Sequence, residues 1–412
     1  MTELQKLESL LESLGGEKRI HYALDHFKTA LTEVGNPEKS VKSILIGGTN
    51  GKGTTTLLIS QALKAHGFKI ATYLSPHLQS PTERILENLT PVSESTLLEL
   101  ALEFEPIAKK FTLTYFEFLT LLFFVHAERT QVDFSVIEVG LGGRLDSTNV
   151  TDPVATVLTN IALDHQALLG DSVEAICKEK LGVLRPESLL FTGIEDPKLR
   201  ELIETQCQEL DAIFYYSKEL KTEVSKTSWE GQEVLINGYP FFLSNPSPGT
   251  LANASLAFLT LRIVFPTISI STLQEAFRKT KTPGRFEWIS HNPRVILSGD
   301  HNPAGIECLK KTLTQVNRGK IYTVCGFSPD KPFVSMFQEL RSFSEDILLT
   351  QIPRLQDKTT PEYQSMGEFE PDPLIAVRRM LEKVSQEDTL LVSGSLYLVG
   401  EIRKLWRDRV DF

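Results

Sequence analysis

Residues 48–54 read Gly-Thr-Asn-Gly-Lys-Gly-Thr, directly after the apolar run Ile44-Leu45-Ile46 and directly before the helix-compatible stretch Thr55 to His66. A strand that enters a glycine-rich turn and leaves as a helix aims several backbone N–H groups at one point, and Lys52 adds a positive charge there. The expected product is a phosphate cradle made of Gly48, Thr49, Asn50, Gly51, Lys52, Gly53 and Thr54. Lys52 stands where a P-loop amine reaches the outer phosphates, and Thr54 where a P-loop hydroxyl holds Mg²⁺. The spacing departs from the standard motif, because Gly53 separates the lysine from the hydroxyl residue. A chance glycine-rich turn is the competing reading.

With 412 residues, 41% of them hydrophobic, the chain is long enough to bury two cores. Cys177, Cys207, Cys308 and Cys325 are scattered, with no short spacing that suggests a zinc site or a disulfide framework, and a reducing cytoplasm is expected. Met1 to Leu14 lacks a basic segment followed by a long apolar one, so no export signal is read there. The longest apolar stretches, such as Leu119 to Val125, are too short to cross a bilayer. A formal charge of −10 argues against a nucleic-acid partner, so anionic ligands require local devices.

Apolar strand-like runs at 44–47, 70–74, 134–139, 154–159 and 189–192 alternate with helical stretches at 55–66, 93–110, 115–129, 173–184 and 197–210. Nearly continuous apolar strands separated by helices imply a mostly parallel sheet covered on both faces, with ligands at the carboxyl ends of its strands. Between Ile213 and Leu243 the pattern shortens to Phe214-Tyr215-Tyr216 and Val234-Leu235-Ile236, and Asn237-Gly238 signals a hairpin. Lys281-Thr282-Pro283-Gly284-Arg285 breaks the pattern after two further helices. The expected architecture is therefore a large α/β P-loop domain at 1–284 and a smaller Rossmann-like α/β domain at 285–412. Arg354 to Asp372, polar and with two prolines, reads as a long mobile loop.

Further candidates cluster at expected strand ends. Glu138 ends an otherwise apolar strand and leads into Gly140 to Asn149; a buried carboxylate there requires a cation or donors, and Mg²⁺ or a structural salt bridge fills that need. The next strand ends in Asp164-His165, where the histidine is open to a structural reading or to metal ligation. Lys180 lies on an expected helix, either solvated or, if buried near phosphates, unusually reactive because desolvation favours a neutral amine. Ser75-Pro76-His77-Leu78 forms a strand-end loop with a hydroxyl and an imidazole, or an ordinary turn.

Taken together, these segments resemble the folylpolyglutamate synthase and dihydrofolate synthase family, a branch of the Mur-type ATP-dependent ligases. The resemblance runs over nearly the whole chain and is carried also by Thr114-Tyr115-Phe116-Glu117, Glu179-Lys180-Leu181-Gly182, Pro283-Gly284-Arg285-Phe286-Glu287, His301-Asn302-Pro303 and Ser393-Gly394-Ser395. It implies an ATP- and Mg²⁺-dependent ligase that converts a pterin-linked carboxylate to an acyl phosphate and joins it to L-glutamate. It further implies that Ser75, Glu138 and His165 ligate Mg²⁺ and that Lys180 is carbamylated. Thr114, Tyr115, Phe116, Glu117, Leu145, Asp146 and Ser147 would surround dihydropteroate or a folate, although both aromatics also suit a core. Arg285 and His301 would meet phosphates and the incoming amino acid, with His77 and Ser395 as further substrate contacts and Asn253 near adenine. A monomer is implied.

One departure stands out. The family usually has Asp-Gly-Ala-His-Asn-Pro where this chain reads Ser298-Gly299-Asp300-His301-Asn302-Pro303. Asp300, two residues on, shares a face with Ser298 on an extended strand and is expected to compensate. A catalytically weakened nucleotide-binding regulator and a Mur-type ligase of cell-wall precursors are the alternatives from other classes.

Overall fold

The computed structural model describes residues 2–16, 23–329, 331–352 and 365–407. The chain divides into two compact units, Met1–Thr222 with Ile236–Phe241 and Ala252–Thr280, and Glu223–Leu235 with Phe242–Leu251 and Lys281–Phe412.

The first unit is built on β1 (Lys42–Gly47), β2 (Ile70–Tyr73), β3 (Ile85–Glu87), β4 (Thr90–Pro91), β5 (Phe134–Glu138), β6 (Pro153–Leu158), β7 (Leu189–Thr192) and β8 (Ile213–Tyr216). They form one sheet in the order β4-β3-β2-β5-β1-β6-β7-β8. The six strands from β2 to β8 in that order pair in parallel, and only β3, between β2 and β4 at one edge, runs antiparallel to its neighbours. Ile44, Leu45 and Ile46 of central β1 are fully buried, as expected of a strand covered on both faces. Helix Tyr115–Arg129 is apolar nearly all round, and Phe118, Leu119, Leu121, Leu122 and Phe123 enter the core with Tyr73 and Ile137. The chain leaves β1 through helix Lys52–His66 toward β2 on one side and leaves β6 through helix Val173–Leu181 toward β7 on the other. The crevice at the carboxyl ends of β1 and β6 is therefore the topological switch point, where open α/β sheets hold ligands.

A three-stranded sheet follows, β9 (Thr222–Ser228), β10 (Gly231–Ile236) and β11 (Tyr239–Leu243), in the order β11-β10-β9. Asn237 and Gly238, with φ of 51° and 83°, make the two-residue turn between β10 and β11 that the sequence signals. Phe214-Tyr215-Tyr216 is not part of that hairpin: it lies in β8, the parallel edge strand beside β7. Its short apolar run has the same local pattern in either place, and only long-range pairing decides.

The second unit carries β12 (Glu287–His291), β13 (Arg294–Ser298), β14 (Ile321–Cys325), β15 (Asp346–Thr350), β16 (Phe369–Glu370) and β17 (Thr389–Ser393). Their order is β12-β13-β17-β14-β15-β16, parallel except for β12. Ile296, Ile306, Leu313, Met336, Leu349 and Leu391 fill its core, against which Trp229 and Trp288 pack. The loop expected at Arg354 to Asp372 lies outside the described residues as far as position 364. Its far end forms β16. Among the described residues, no helix is long and apolar enough to cross a membrane.

Candidate active site

The turn after β1 has the expected form. Gly48 and Gly51 adopt φ of 129° and 85°, conformations an L side chain rarely takes, and Gly51 precedes the first residue of helix Lys52–His66. Space is as restrictive as torsion: a Cβ at Gly48 would stand 1.9 Å from Thr159 Oγ1, and one at Gly51 2.3 Å from Asn253 Oδ1. Asn253, on helix Pro248–Val264, thus lies directly on the loop. Lys52 is half-buried and its ammonium donates to the Thr49 carbonyl at 3.1 Å, folded back over the turn it is expected to serve. Thr54 lies in the first helical turn and is half-buried.

Glu138 ends β5, next to Ile46 in β1, and only 5% of it is exposed. Its Oε2 accepts the Ser75 N–H at 3.0 Å, and a Cβ at Gly53 would lie 3.4 Å from the same oxygen. The carboxylate therefore rests against the first turn of the helix, where the partial positive charge of the N-terminus favours an anion. Gly53, the residue that breaks the standard spacing, is the one that faces it.

Lys180 is buried in the last turn of helix Val173–Leu181. Its amine donates to the Gly48 carbonyl at 2.9 Å and to that of Gly142 at 3.5 Å, joining the turn after β1 to the turn after β5. A Cβ at Gly143 would stand 2.8 Å from the Glu179 carbonyl oxygen, so that second turn lies flat on the helix. Burial pushes the Lys180 amine down to about 7, the nearby charge of Lys52 adds to this, and Asp164, Asp146 and Glu179 oppose it.

His165 has left-handed backbone, with φ of 49°, and its side chain is 37% exposed. Its N–H donates to its neighbour Asp164 at 2.9 Å and its Nε2 lies 3.9 Å from Asp164 Oδ1. Among the described residues no three His, Cys, Asp or Glu side chains converge as an all-protein metal cage, so His165, Asp164 and Glu138 do not gather into one. That donor set suits Mg²⁺, which keeps several waters and takes one or two carboxylates together with phosphate oxygens.

The residues expected around a pterin surround the turn after β5, and several have structural tasks there. Thr114 and Glu117 form a capping box at the start of helix Tyr115–Arg129, with Thr114 N–H donating to Glu117 Oε2 at 2.8 Å. The other Glu117 oxygen lies 2.9 Å from His26 Nε2. Tyr115 is buried under the Arg84 guanidinium, 5.2 Å from its ring centroid, and Arg84 Nε donates to Nδ1 of buried His77 at 2.9 Å. The half-buried Phe116 ring lies on Gly140, where a Cβ would stand 2.4 Å from it. Leu145 is half-buried. Asp146 accepts the Leu141 N–H at 2.8 Å, the Thr148 N–H at 2.9 Å and the Thr148 hydroxyl at 2.6 Å, all from its own loop. Burial raises its carboxyl above the usual range, against the pull of those donors. Ser147 hydrogen-bonds Thr120 at 2.9 Å, which in turn meets the Tyr73 hydroxyl at 3.1 Å.

In the second unit, Arg285, Ser298, Asp300 and His301 meet at the end of β13. Arg285 Nη1 donates to the Gly299 carbonyl at 3.0 Å and His301 Nδ1 lies 3.0 Å from the same oxygen. Ser298 Oγ accepts the Phe286 N–H at 3.2 Å and donates to Asp300 Oδ2 at 2.6 Å. Asp300 Oδ1 would lie 3.0 Å from a Cβ at Gly305, which places it over the first turn of helix Pro303–Val316. Burial raises the Asp300 carboxyl, and Arg285 opposes the shift. Ser395 is buried at the end of β17, its hydroxyl accepting the Tyr397 N–H at 3.2 Å.

Three contributors carry no sequence signal of their own. Thr159 and Asn160 bind the turn after β1 and read in sequence as the tail of a strand. Arg84, which holds His77, ends a short 3₁₀ helix seven residues away.

Two family models match the chain: the Mur ligase middle domain over residues 46–260 and the Mur ligase glutamate ligase domain over residues 284–396. The chain is 30% identical to dihydrofolate synthase/folylpolyglutamate synthase of Escherichia coli (strain K12), over 96% of this chain and 94% of that one. It is 29% identical to the Bacillus subtilis (strain 168) protein of the same name, over 92% and 94%. Among solved structures, E. coli FolC in complex with DHPP and ADP superposes with a TM-score of 0.86 at 29% identity, covering 98% of both chains. Folylpolyglutamate synthase from Thermotoga maritima does so with a TM-score of 0.85 at 28% identity and the same coverage. The chain belongs to the folylpolyglutamate synthase/dihydrofolate synthase family of Mur-type ligases.

Proposed function

We propose that this ligase joins the α-amine of L-glutamate to the carboxylate of dihydropteroate, of reduced folates or of both, at the expense of ATP. The observation that carries the reading is the buried Glu138 carboxylate held against the first turn of the Gly48–Thr54 loop helix, with Lys52 folded over that loop. A pterin-linked carboxylate oxygen attacks the γ-phosphorus of ATP, giving an acyl phosphate and ADP. The glutamate amine then attacks the acyl carbon, loses a proton and expels phosphate.

In that sequence Lys52 and the N–H groups of the first helical turn neutralise charge on the transferred phosphoryl. Glu138, Ser75, Thr54 and His165 are the residues assigned to hold Mg²⁺, which would supply neutralisation of charge on the transferred phosphoryl. Buried Lys180, whose amine is pushed down to about 7 and so is partly neutral near neutrality, is suited to react with CO₂ to a carbamate that returns an anionic oxygen to the site. Phe116 and Tyr115 are assigned to a flat heterocycle beside Asp146, a reading supported by the likeness to E. coli FolC, whose structure holds DHPP and ADP. Arg285, Asp300 and His301 are assigned to phosphates and the incoming amino acid, Ser395 and His77 to further substrate contacts, and Asn253 to the adenine end.

A weakened regulator and a cell-wall ligase are not favoured, given 30% identity to dihydrofolate synthase/folylpolyglutamate synthase over nearly the full length. We read the protein as a cytoplasmic monomer without a nucleic-acid partner, in keeping with its charge of −10. The purified chain with ATP, Mg²⁺ and glutamate, offered dihydropteroate or a reduced folate in turn, should release phosphate only with an acceptor acid present. Phosphate release that ignores both acceptors would contradict the proposal.

A further inference from the structure

The turn after β1 is gripped from the side by the segment that follows β6. Thr159, 6% exposed, donates its hydroxyl to the Asn50 carbonyl at 2.7 Å, and its N–H reaches the Gly47 carbonyl at 3.0 Å. Its Oγ1 occupies the space that a side chain at Gly48 would need. Asn160 accepts twice, the Thr49 N–H at its main-chain oxygen and the Asn50 N–H at Oδ1, both at 2.9 Å. The Thr49 hydroxyl closes the contact by donating to the Ala162 carbonyl at 3.2 Å and accepting the Ala162 N–H at 3.1 Å.

These bonds divide the loop's N–H groups. Those of Thr49 and Asn50 are already committed to Asn160. A phosphate is left with the groups at the helix start, where no carbonyl four residues earlier lies inside the helix. The orientation of the Thr49–Asn50 peptides fixes where those remaining donors point. The same segment continues into Asp164 and His165, so one short stretch sets the phosphate loop and carries the next candidate residues.

We propose that Thr159 is a positioning residue for nucleotide: its hydroxyl, with the Asn160 side-chain amide, holds the Thr49–Asn50 backbone so that the helix-start N–H groups converge on the polyphosphate. The proposal rests on the nucleotide-binding reading above. Its chemistry is specific to the hydroxyl, because the methyl group of Thr159 contributes shape alone.

Thr159→Val keeps the shape and removes the donor, whereas Thr159→Ser keeps the donor and removes a methyl. One net hydrogen bond corresponds to roughly a tenfold change in an equilibrium constant. ADP binding by calorimetry and steady-state kinetics are measured for both variants in the full chain. Thr159→Val should weaken ADP and raise the KM for ATP about tenfold, with the KM for glutamate within about twofold of the parent and Thr159→Ser near the parent in both. Equal ADP affinity in Thr159→Val and the parent, or an equal loss in Thr159→Ser, would overturn the proposal. Should Thr159→Val fail to fold, Asn160→Ala removes the second contact, and unchanged ADP affinity there overturns it likewise. A parent protein that binds no ADP would instead refute the underlying nucleotide reading.

Discussion

The Lys180 amine lies 2.9 Å from the Gly48 carbonyl oxygen, so a buried lysine is hung from the loop expected to hold phosphate. A charged ammonium is costly there because water is excluded, and its pKa falls to about 7 from 10.5. The folded state thus disfavours the protonated form. The stability this group contributes is present above about pH 10.5, declines as pH falls toward 7, and is gone below that. Lys180→Met lacks the titration, so its melting temperature should gain on the parent as pH drops from 10 to 6. A constant difference across that range would show the amine to be unperturbed. The neutral amine should also take up carbon-13-labelled CO₂ as a carbamate resonance that Lys180→Met lacks.

Glu138 should govern the metal requirement. Glu138→Gln keeps the volume and can still accept the Ser75 N–H, but loses the charge. We expect the Mg²⁺ concentration for half-maximal rate to rise at least about tenfold, the range typical of a weakened metal site. Chelation of Mg²⁺ should stop turnover in the parent. An unchanged Mg²⁺ dependence in Glu138→Gln would remove it from the site.

Gly48→Ala tests the loop itself. Left-handed backbone costs an L residue about 1–2 kcal/mol, and the clash with Thr159 Oγ1 adds to this. Denaturant titration should show a loss of at least about 2 kcal/mol, together with weakened ADP binding. A variant as stable as the parent would mean the turn relaxes without consequence.

Asp300 is the carboxylate nearest to the departure at Ser298, and the two are hydrogen-bonded at 2.6 Å. If Asp300 supplies the acidic function, Asp300→Ala should raise the KM for ATP about tenfold or more, the scale of a lost charge-assisted hydrogen bond. Ser298→Ala, which removes the bond that orients Asp300 and the acceptor of the Phe286 N–H while keeping the carboxylate, should fall between. An unchanged KM in Asp300→Ala would end the idea of compensation.

Much of this was legible in the sequence because it depends on local chemistry. The strand-turn-helix at Ile44 to His66, the Asn237-Gly238 turn and the alternation of strands and helices follow from short-range pattern. What sequence leaves open is where a side chain spends its hydrogen bonds. Thr114 and Glu117 read as substrate contacts, yet their polar atoms form a helix cap and a pair with His26. Asp146 reads as a hydrogen-bond acceptor for a ligand, yet three donors of its own loop meet it first. Thr159 and Asn160 lie more than a hundred residues from the loop they hold. Phe214 to Tyr216 reads as a short strand, but its pattern does not name a partner, and only long-range pairing places it beside β7.

The most direct test is a crystal structure of the chain with ADP and Mg²⁺, compared with Lys52→Ala under the same conditions. The account predicts phosphates over the Gly51–Thr54 N–H groups, the Lys52 amine moved from the Thr49 carbonyl to a phosphate oxygen, and Mg²⁺ beside Glu138. In Lys52→Ala the fold should persist while turnover falls by at least about a hundredfold. Nucleotide bound elsewhere, with Lys52 still on Thr49 or turned to solvent and near-normal turnover in the variant, would contradict it.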